Sequence, residues 1–310
     1  MVPAIVVFAY NRPAHLQWLF ESLKNSRNIE KLPLYVFVDG PRNFQDEDKI
    51  SQTIAVIEKY SKYFDFKKIV TRPHNIGLSQ SIIEGVSEVI SMHEGVIVLE
   101  DDIQLAPSFI DFMIANLSKY QNSQNIGSIT GYQYAKGPFW RRNQNYISLR
   151  QSSWAWGTWR DRWEKIDWKI LDENAERFEL LQKKMYRIGE DLPRMMVLAR
   201  AKSIDSWSIV FDANAANYSW KCLHPAYSLA INNGFDGSGT HYSSIRVNMA
   251  PPETITWNYP SDLTDFSGKE SKLYDAEVWF RNSSFSRFYL KPFVFIKKVF
   301  KKSAGTYIKR

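Results

Sequence analysis

The sequence predicts an α/β fold in which a mixed, mainly parallel sheet is flanked by helices. Short apolar segments alternate with amphipathic segments through the first 132 residues, which is the pattern of successive βαβ units. One apolar segment, Val96 to Leu99, follows a glycine and runs directly into three acids, Glu100, Asp101 and Asp102. Such a continuous, mostly β-branched run is typical of a strand buried on both faces of a parallel sheet.

The elements of this first part follow from periodicity. Strands are expected at the continuous apolar runs, which occupy residues 3–10, 34–38, 66–71, 96–99 and 126–132. Helices are expected where apolar residues recur every three or four positions, in residues 13–24, 46–63, 78–90 and 107–117. Turn residues such as Asn11-Arg12-Pro13 separate these segments.

Polar loops follow the strands of the predicted sheet. They are Asn11–Arg12, Asp39–Gly40, His74–Asn75 and the acidic triplet. Because parallel strands end at a common edge, where open α/β sheets bind ligands, these loops should form one cleft. In a nucleotide cleft, Asp39 would accept hydrogen bonds from base or ribose and Arg12 would be available to phosphate.

Three adjacent carboxylates repel one another unless a positive group lies among them. A hard divalent cation, Mg²⁺ or Mn²⁺, is the obvious candidate because it prefers oxygen ligands and often shares them with substrate phosphates. The alternative is a solvated acidic turn after the strand.

The alternation stops at about Lys136, and the second half offers three isolated signals. Trp154 to Trp163 contains four tryptophans, which predict either a core helix or an aromatic wall for a sugar. Asp205, beside Trp207, is either a helix N-cap or a base that faces the cleft. His241 ends a loop that contains three glycines and is either structural or a metal or phosphate ligand.

Composition limits the class of protein. The chain has 310 residues, of which 44% are hydrophobic and 24% are charged, as in soluble globular proteins. A single cysteine, Cys222, excludes an internal disulfide and suits a reducing compartment. No apolar run is long enough for a spanning helix, and the first residues are expected to form a strand and not a signal peptide.

The net charge of +7 favours anionic partners. Much of the excess lies after Glu277, where nine Lys or Arg residues follow and no acid occurs. Large apolar residues share a helical face from Phe293 to Phe300, with lysines on the flank. This pattern favours an anionic membrane surface over nucleic acid or simple docking on the body.

The motifs VVFAYNRP, FVDG, HNIGLSQSIIEGV and VIVLEDDIQLAPSF, in this order, resemble the GT-A glycosyltransferases. The likeness is to family-2-like bacterial enzymes and to the N-acetylglucosaminyltransferase I type. It is specific over residues 3–132 and looser through SSWAWGTW, SIDSW and GFDGSGTH. It implies a GT-A (Rossmann-like) fold and a metal-dependent, inverting hexosyl- or N-acetylhexosaminyltransferase that uses a nucleotide-diphosphate sugar, with UDP favoured.

The resemblance also implies roles for individual residues. Asp102 matches the acid that holds Mn²⁺ or Mg²⁺, His241 matches a histidine on the metal or phosphates, and Asp205 matches the general base, with Asp161 as the rival. The residues that would line the donor pocket are Ala9, Asn11, Arg12, Asp39, Asn75, Gly77, Glu100 and Asp101. The tryptophans that would contact acceptor or donor sugar are Trp154, Trp156 and Trp207.

The expected organisation is a nucleotide-sugar half at 1–135, an acceptor and catalytic half at 136–260 and a basic C-terminal extension at 261–310. The expected acceptor is a glycan or glycolipid in bacterial surface polysaccharide synthesis, on the cytoplasmic face of the cell membrane. Two alternatives stay open. A sugar nucleotidyltransferase normally needs a glycine-rich loop after its first strand, and Ala9 to Pro13 contains none. A non-enzymatic protein that binds membrane or nucleic acid would leave the acidic strand end unexplained.

Overall fold

The computed structural model describes residues 1–133 and 145–234, together with the backbone of residues 274 and 275. Its first part alternates strands and helices as predicted. These elements are β1 (Ala4–Ala9), α1 (Pro13–Lys24), β2 (Pro33–Val38), α2 (Glu47–Tyr60), β3 (Asp65–Thr71), α3 (Leu78–Met92) and β4 (Gly95–Glu100). The short strand β5 (Ile103–Leu105), which the apolar pattern does not predict, precedes α4 (Phe109–Tyr120) and β6 (Ile126–Thr130).

The second part combines short strands with a group of helices. Its elements are β7 (Tyr146–Ser148), β8 (Trp156–Trp159), α5 (Arg160–Trp163), α6 (Ala175–Ile188), α7 (Leu192–Arg200), α8 (Trp207–Tyr218), β9 (Lys221–His224), β10 (Ala230–Asn232) and β11 (Tyr274–Asp275). Within the described ranges, no helix is long and apolar enough to cross a membrane.

One sheet joins both parts of the chain. Its described strands lie in the order β11-β7-β9-β6-β8-β4-β1-β2-β3, and β5 and β10 form a separate two-stranded ribbon. The pairs β3–β2, β2–β1 and β1–β4 are parallel, whereas β8 runs antiparallel between β4 and β6. The predicted mixed, mainly parallel α/β sheet is therefore confirmed.

Strand β1 shows why the first strands are continuous apolar runs. Ile5 and Val7 pack into the core cluster on the α1, α2 and α4 side, whereas Val6 and Phe8 pack into the cluster on the α3 and α8 side. Successive side chains of a strand point to opposite faces, so a strand with helices on both faces must be apolar at every position.

The helical interpretation of the tryptophan-rich run is wrong for Trp156–Trp159, which forms strand β8, and is confirmed only for the short helix α5 at its end. Residues three apart share a helix face but lie on opposite faces of a strand. Trp156 accordingly packs into the α8 side of the core and Trp159 into the α4 side. Gly157 between them allows close pairing, since a Cβ there would lie 2.7 Å from the carbonyl oxygen of Val96.

Candidate functional site

The polar loops after β1, β2, β3 and β4 meet at the carboxyl edge of the sheet, because these strands are parallel. Contacts between side chains and backbone join the loops in pairs. Arg12, after β1, contacts Asp101, after β4. Asp39, after β2, contacts the backbone of Gly77, after β3. The convergence expected from the sequence is therefore present in the structure.

The buried carboxylate of Asp39 braces the loop that leads into α3. It accepts hydrogen bonds from the backbone N–H groups of Gly40 at 2.9 Å, Ile76 at 3.0 Å and Gly77 at 3.1 Å. The side-chain amide of Asn75 donates to the carbonyl of Gly40 at 3.1 Å. These contacts give Asp39 and Asn75 a structural role at the cleft.

Steric crowding explains why the FVDG motif ends in glycine. A Cβ on Gly40 would lie 2.4 Å from the backbone nitrogen of His74 and 2.6 Å from the carbonyl oxygen of Arg72. Any other residue would therefore push the two loops apart. The motif is the signature of two backbones in close contact at the edge of the sheet.

The positive group among the three acids is Arg12. Its guanidinium contacts Asp101 and lies 3.1 Å from Oδ2 of Asp102. Asp101, which is 2% exposed, also accepts a hydrogen bond from the backbone N–H of Tyr10 at 3.3 Å. Arg12 therefore supplies the positive charge that three adjacent acids need, the role for which a divalent cation was the obvious candidate from the sequence.

Burial and mutual repulsion dominate the titration of the triplet. Burial raises the pKa of Glu100, the two neighbouring carboxylates raise it further, and Arg12 opposes the increase. Burial likewise raises the pKa of Asp101, although Arg12 opposes it strongly. Burial disfavours the Arg12 cation, but attraction to Asp101 and Asp102 outweighs this and raises the pKa of Arg12. The cluster is thus held in a region of low polarisability, where charges interact strongly.

Asp102 faces the β5–β10 ribbon. Its Oδ1 accepts a hydrogen bond from the side-chain amide of Asn232 at 3.3 Å, and its backbone carbonyl accepts from the N–H of Asn233 at 2.8 Å. A Cβ on Gly234 would lie 2.5 Å from Oδ2 of Asp102, so any other residue there would displace the Asp102 carboxylate. His241, the predicted second metal ligand, lies outside the described residues.

The side chains at this edge offer few ligands to a divalent cation. Within residues 1–133 and 145–234, no three His, Cys, Asp or Glu side chains are grouped to hold a metal ion. Both oxygens of Asp101 are engaged, by Arg12 and by the Tyr10 N–H. The residues therefore fit a Mg²⁺ or Mn²⁺ ion that takes one or two protein carboxylates and completes its shell with water and substrate phosphates, and they do not fit an all-protein cage.

Asp205 lies at the same edge, beside the loop that Asp39 braces. It is exposed, and its Oδ2 lies 3.2 Å from the position that a Cβ on Gly77 would take. The alternative that Asp205 is an N-cap is wrong, because α8 has Ser206 as its N-cap. The backbone N–H of Trp207 is satisfied by Oγ of Ser79 at 2.8 Å.

Asp161, the rival base, lies at the opposite edge of the sheet. It follows β8, whose last residue, Trp159, pairs with Gly95 at the start of β4, so the whole length of β4 separates it from Glu100. The carboxylate of Asp161 forms an ion pair with Arg162 at 2.6 Å. Asp161 therefore cannot act together with the acidic triplet. Its assignment as the rival base is wrong, and it has a structural role instead.

The three candidate tryptophans differ in position. Trp156 is 1% exposed and stacks on Trp207, which is 5% exposed, with 4.8 Å between ring centroids. These two rings belong to the core, which corrects their assignment to a sugar-binding wall. Trp154 is partly buried beyond the end of β6, where its ring meets Tyr132 edge-on at 4.5 Å.

Sequence reasoning missed the role of Asp46 at the start of α2. Its carboxylate accepts hydrogen bonds from the Tyr10 hydroxyl at 2.6 Å, the Asn11 amide at 2.7 Å and the Arg42 backbone N–H at 3.2 Å. The hydrogen bond from Tyr10 is the main reason why the pKa of Asp46 is lowered. Asp46 therefore fixes the loop after β1, next to the buried Ala9. An acid in the first turn of a helix gave no distinct signal, because such acids commonly serve the helix alone.

The chain is 24% identical over 216 residues to the Arabidopsis thaliana alpha-1,3-mannosyl-glycoprotein 2-beta-N-acetylglucosaminyltransferase. The matched region covers 61% of this chain and 47% of that protein. The chain thus spans about half the length of this relative.

Two solved structures resemble the chain at low identity. A crystal structure of S. aureus TarS covers 71% of this chain and 72% of its own, with 12% identity and a TM-score of 0.38. A structure of an active-site mutant of LgtC covers the same shares, with 11% identity and a TM-score of 0.39. The sequence profile of glycosyl transferase family 2 matches residues 4–178, which is more than half of the chain, so this chain belongs to glycosyl transferase family 2.

Proposed function

We propose that this protein is a metal-dependent, inverting glycosyltransferase that moves a hexose or N-acetylhexosamine from a nucleotide-diphosphate sugar to a hydroxyl group. The observation that carries the proposal is that an Arg-compensated acidic strand end and an exposed carboxylate, Asp205, lie at the same edge of the sheet. Family membership supports the reaction class. UDP is the favoured nucleotide, and the acceptor is a glycan or glycolipid.

The donor would bind across the loops after β1, β2 and β4. Asn11 and Arg12 lie in the loop after β1, where Asp46 fixes Asn11. The amide of Asn11 and the guanidinium of Arg12 are hydrogen-bond donors that suit a diphosphate. Asp39 and the backbone at Gly77 would contact base or ribose. Glu100 and Asp101 would contact ribose or donor sugar.

Asp102 would hold the divalent cation, Mn²⁺ or Mg²⁺, together with the donor diphosphate, and His241 is proposed as its second protein ligand. When bound, the cation supplies Lewis-acid stabilisation of the leaving diphosphate. Arg12 adds a fixed positive charge at the same place, which favours a dianionic group over water.

Asp205 would act as the general base. Its carboxylate takes the proton from the acceptor hydroxyl as that oxygen forms a bond to the anomeric carbon and the bond to the diphosphate breaks. Attack from the face opposite the leaving group inverts the anomeric centre and needs no covalent enzyme intermediate. The exposure of Asp205 suits an acceptor that approaches from solvent. Of the three candidate tryptophans, Trp154 is the one outside the core, and it would contact the acceptor or donor sugar.

Calorimetric titration with UDP, GDP, dTDP and CDP, with and without Mn²⁺, tests the donor site. We expect one nucleotide to bind only with Mn²⁺ and to lose that binding in Asp102→Ala, because the ion loses its main protein carboxylate. Asp161→Ala is the matched control, since it removes an acid at the opposite edge of the sheet. If none of the nucleotides binds to the wild-type protein, the proposed function is wrong.

We further propose that the enzyme acts in bacterial surface polysaccharide synthesis as a peripheral protein on the cytoplasmic face of the membrane. The support is the acid-free, basic and apolar sequence after Glu277, which lies outside the described residues. Without residues 288–310, the protein should stay in the supernatant when anionic vesicles are sedimented, because the basic and apolar segment is removed. Neutral vesicles are the control, and unchanged sedimentation would contradict a membrane role for this segment.

A further inference from the structure

We propose that Asn232 positions the carboxylate of Asp102 and thereby sets the affinity of the donor site for its divalent cation. This inference rests on the proposed function, and it assigns a role to the β5–β10 ribbon. Residues that hydrogen-bond a metal ligand from outside the metal shell fix its orientation and tune the bound metal.

Each oxygen of Asp102 has its own partner. Oδ2 faces the guanidinium of Arg12 at 3.1 Å, and Oδ1 accepts the hydrogen bond from Asn232 at 3.3 Å. Two partners on opposite oxygens prevent free rotation of the carboxylate. A carboxylate has about four acceptor sites, so each oxygen that accepts one hydrogen bond can still serve a metal ion.

The amide of Asn232 is itself fixed in one orientation. Its Oδ1 accepts a hydrogen bond from the backbone N–H of Gly234 at 2.7 Å, so its nitrogen must face Asp102. With the amide reversed, the Asn232 oxygen would face the Asp102 carboxylate and the Asn232 NH₂ group would face the Gly234 N–H, so neither hydrogen bond could form. Asn232 therefore presents a donor to Asp102 without competing with it for a cation.

The ribbon holds Asn232 in register with the acidic strand end. Asn232 pairs with Ile103, the residue after Asp102, and Ala230 pairs with Leu105. The backbone N–H of Asn233 donates to the Asp102 carbonyl at 2.8 Å, and a Cβ on Gly234 would displace the Asp102 carboxylate. Asn232 thus reaches Asp102 from paired, regular backbone, which favours a precise contact over an adaptable one.

The experiment measures Mn²⁺ binding in the presence of UDP by the paramagnetic signal of free Mn²⁺, which does not depend on turnover. Asn232→Ala should weaken Mn²⁺ binding by about 10- to 100-fold, the usual effect of removing a partner of a metal ligand. Asn233→Ala is the matched control, because its side chain contacts Gln104 at 3.3 Å while the backbone contact with Asp102 remains. It should keep the wild-type Mn²⁺ affinity.

The outcomes separate the two proposals. If wild-type protein binds Mn²⁺ and Asn232→Ala binds it equally well, the role of Asn232 is wrong while the proposed function stands. If Asn232→Ala and Asn233→Ala weaken Mn²⁺ binding equally, the effect belongs to the ribbon as a whole, and the proposed role of Asn232 is wrong in that case too. If the wild-type protein binds no Mn²⁺ with UDP or with the nucleotide found above, both proposals fail. Equal thermal midpoints of the two variants would exclude unfolding as the cause of a selective loss.

Discussion

Asp205→Asn is expected to reduce the turnover of sugar transfer by a factor on the order of 10² to 10⁴, the usual contribution of a general base. The amide has nearly the shape of the carboxylate but cannot take the proton from an acceptor hydroxyl. Donor binding should be unchanged, because Asp102 and Arg12, which would hold the cation and the diphosphate, pair with each other and not with Asp205 in the part of the chain that the structure describes. Turnover at saturating donor and acceptor, together with the calorimetric affinity for the nucleotide, measures both quantities.

The fold should tolerate this substitution. Helix α8 begins at Trp207, whose N–H is bound by Ser79, and Ser206 is its N-cap, so its start does not depend on the Asp205 side chain. Asp161→Asn is the matched control and should retain turnover, since Asp161 lies at the far edge of the sheet. Full turnover in Asp205→Asn would assign the base to another residue.

The first part of the fold could be predicted because its signals are local. Strands such as β1 are buried on both faces and are therefore apolar at every position, while α3 carries its apolar residues on one face. Parallel strands then bring their terminal loops to one edge without further information. This is why Arg12, Asp39 and the acidic triplet could be placed together from the sequence.

The parts that could not be predicted depend on partners far away in the chain. Strand β8 pairs with β4 and β6 on either side of it, and its spacing of tryptophans is equally compatible with a helix. Strand β5 has three residues, which is too short for periodicity. Arg12 reaches Asp101 across 89 positions, a pairing that only the folded sheet creates.

The same limit applies to acids whose role depends on their surroundings. Asp161 and Asp205 look alike in the sequence, each within two residues of a tryptophan. Sheet register assigns them to opposite edges, and only one lies at the proposed site. Asp212 gave no signal at all, although its burial makes it the acid with the clearest expected effect on stability.

Asp212, in α8, is buried under the second half of the sheet. Its Oδ1 has no hydrogen-bond partner in the part of the chain that the structure describes. The nearby Arg150 is committed to Asp191 by two hydrogen bonds, of 2.8 and 2.7 Å. Burial raises the pKa of Asp212 to about 7, with a further increase from Asp191, while Arg150 and a hydrogen bond from the Gln151 backbone oppose it.

This pKa makes stability depend on pH in a defined direction. An unfolded aspartate ionises at a pKa of about 3.9, so between pH 4 and pH 7 the folded protein binds a proton that the unfolded chain has released. The free energy of unfolding must therefore fall as the pH rises through this window. Above pH 7 the loss is complete, because both states are then ionised.

Asp212→Asn should remove this dependence, because the amide carries no titrating proton in either state. Relative to the variant, the wild-type protein should lose roughly 3 kcal/mol of unfolding free energy between pH 5 and pH 8, from about 1.4 kcal/mol for each of the two pH units below the folded pKa. Urea unfolding of both proteins at the two pH values measures the difference, and the constant cost of placing an amide in the core cancels from it.

The buried acids Glu100 and Asp101 titrate in both proteins, so their contributions also cancel from the comparison. Asp161→Asn provides the control at a more exposed carboxylate, which pairs with Arg162 and accepts a hydrogen bond from Gln124, and it should change stability equally at both pH values. Unfolding free energies of wild type and Asp212→Asn that change in parallel from pH 5 to pH 8 would contradict the prediction. That result would mean that the buried carboxylate of Asp212 stays ionised, compensated by Arg150.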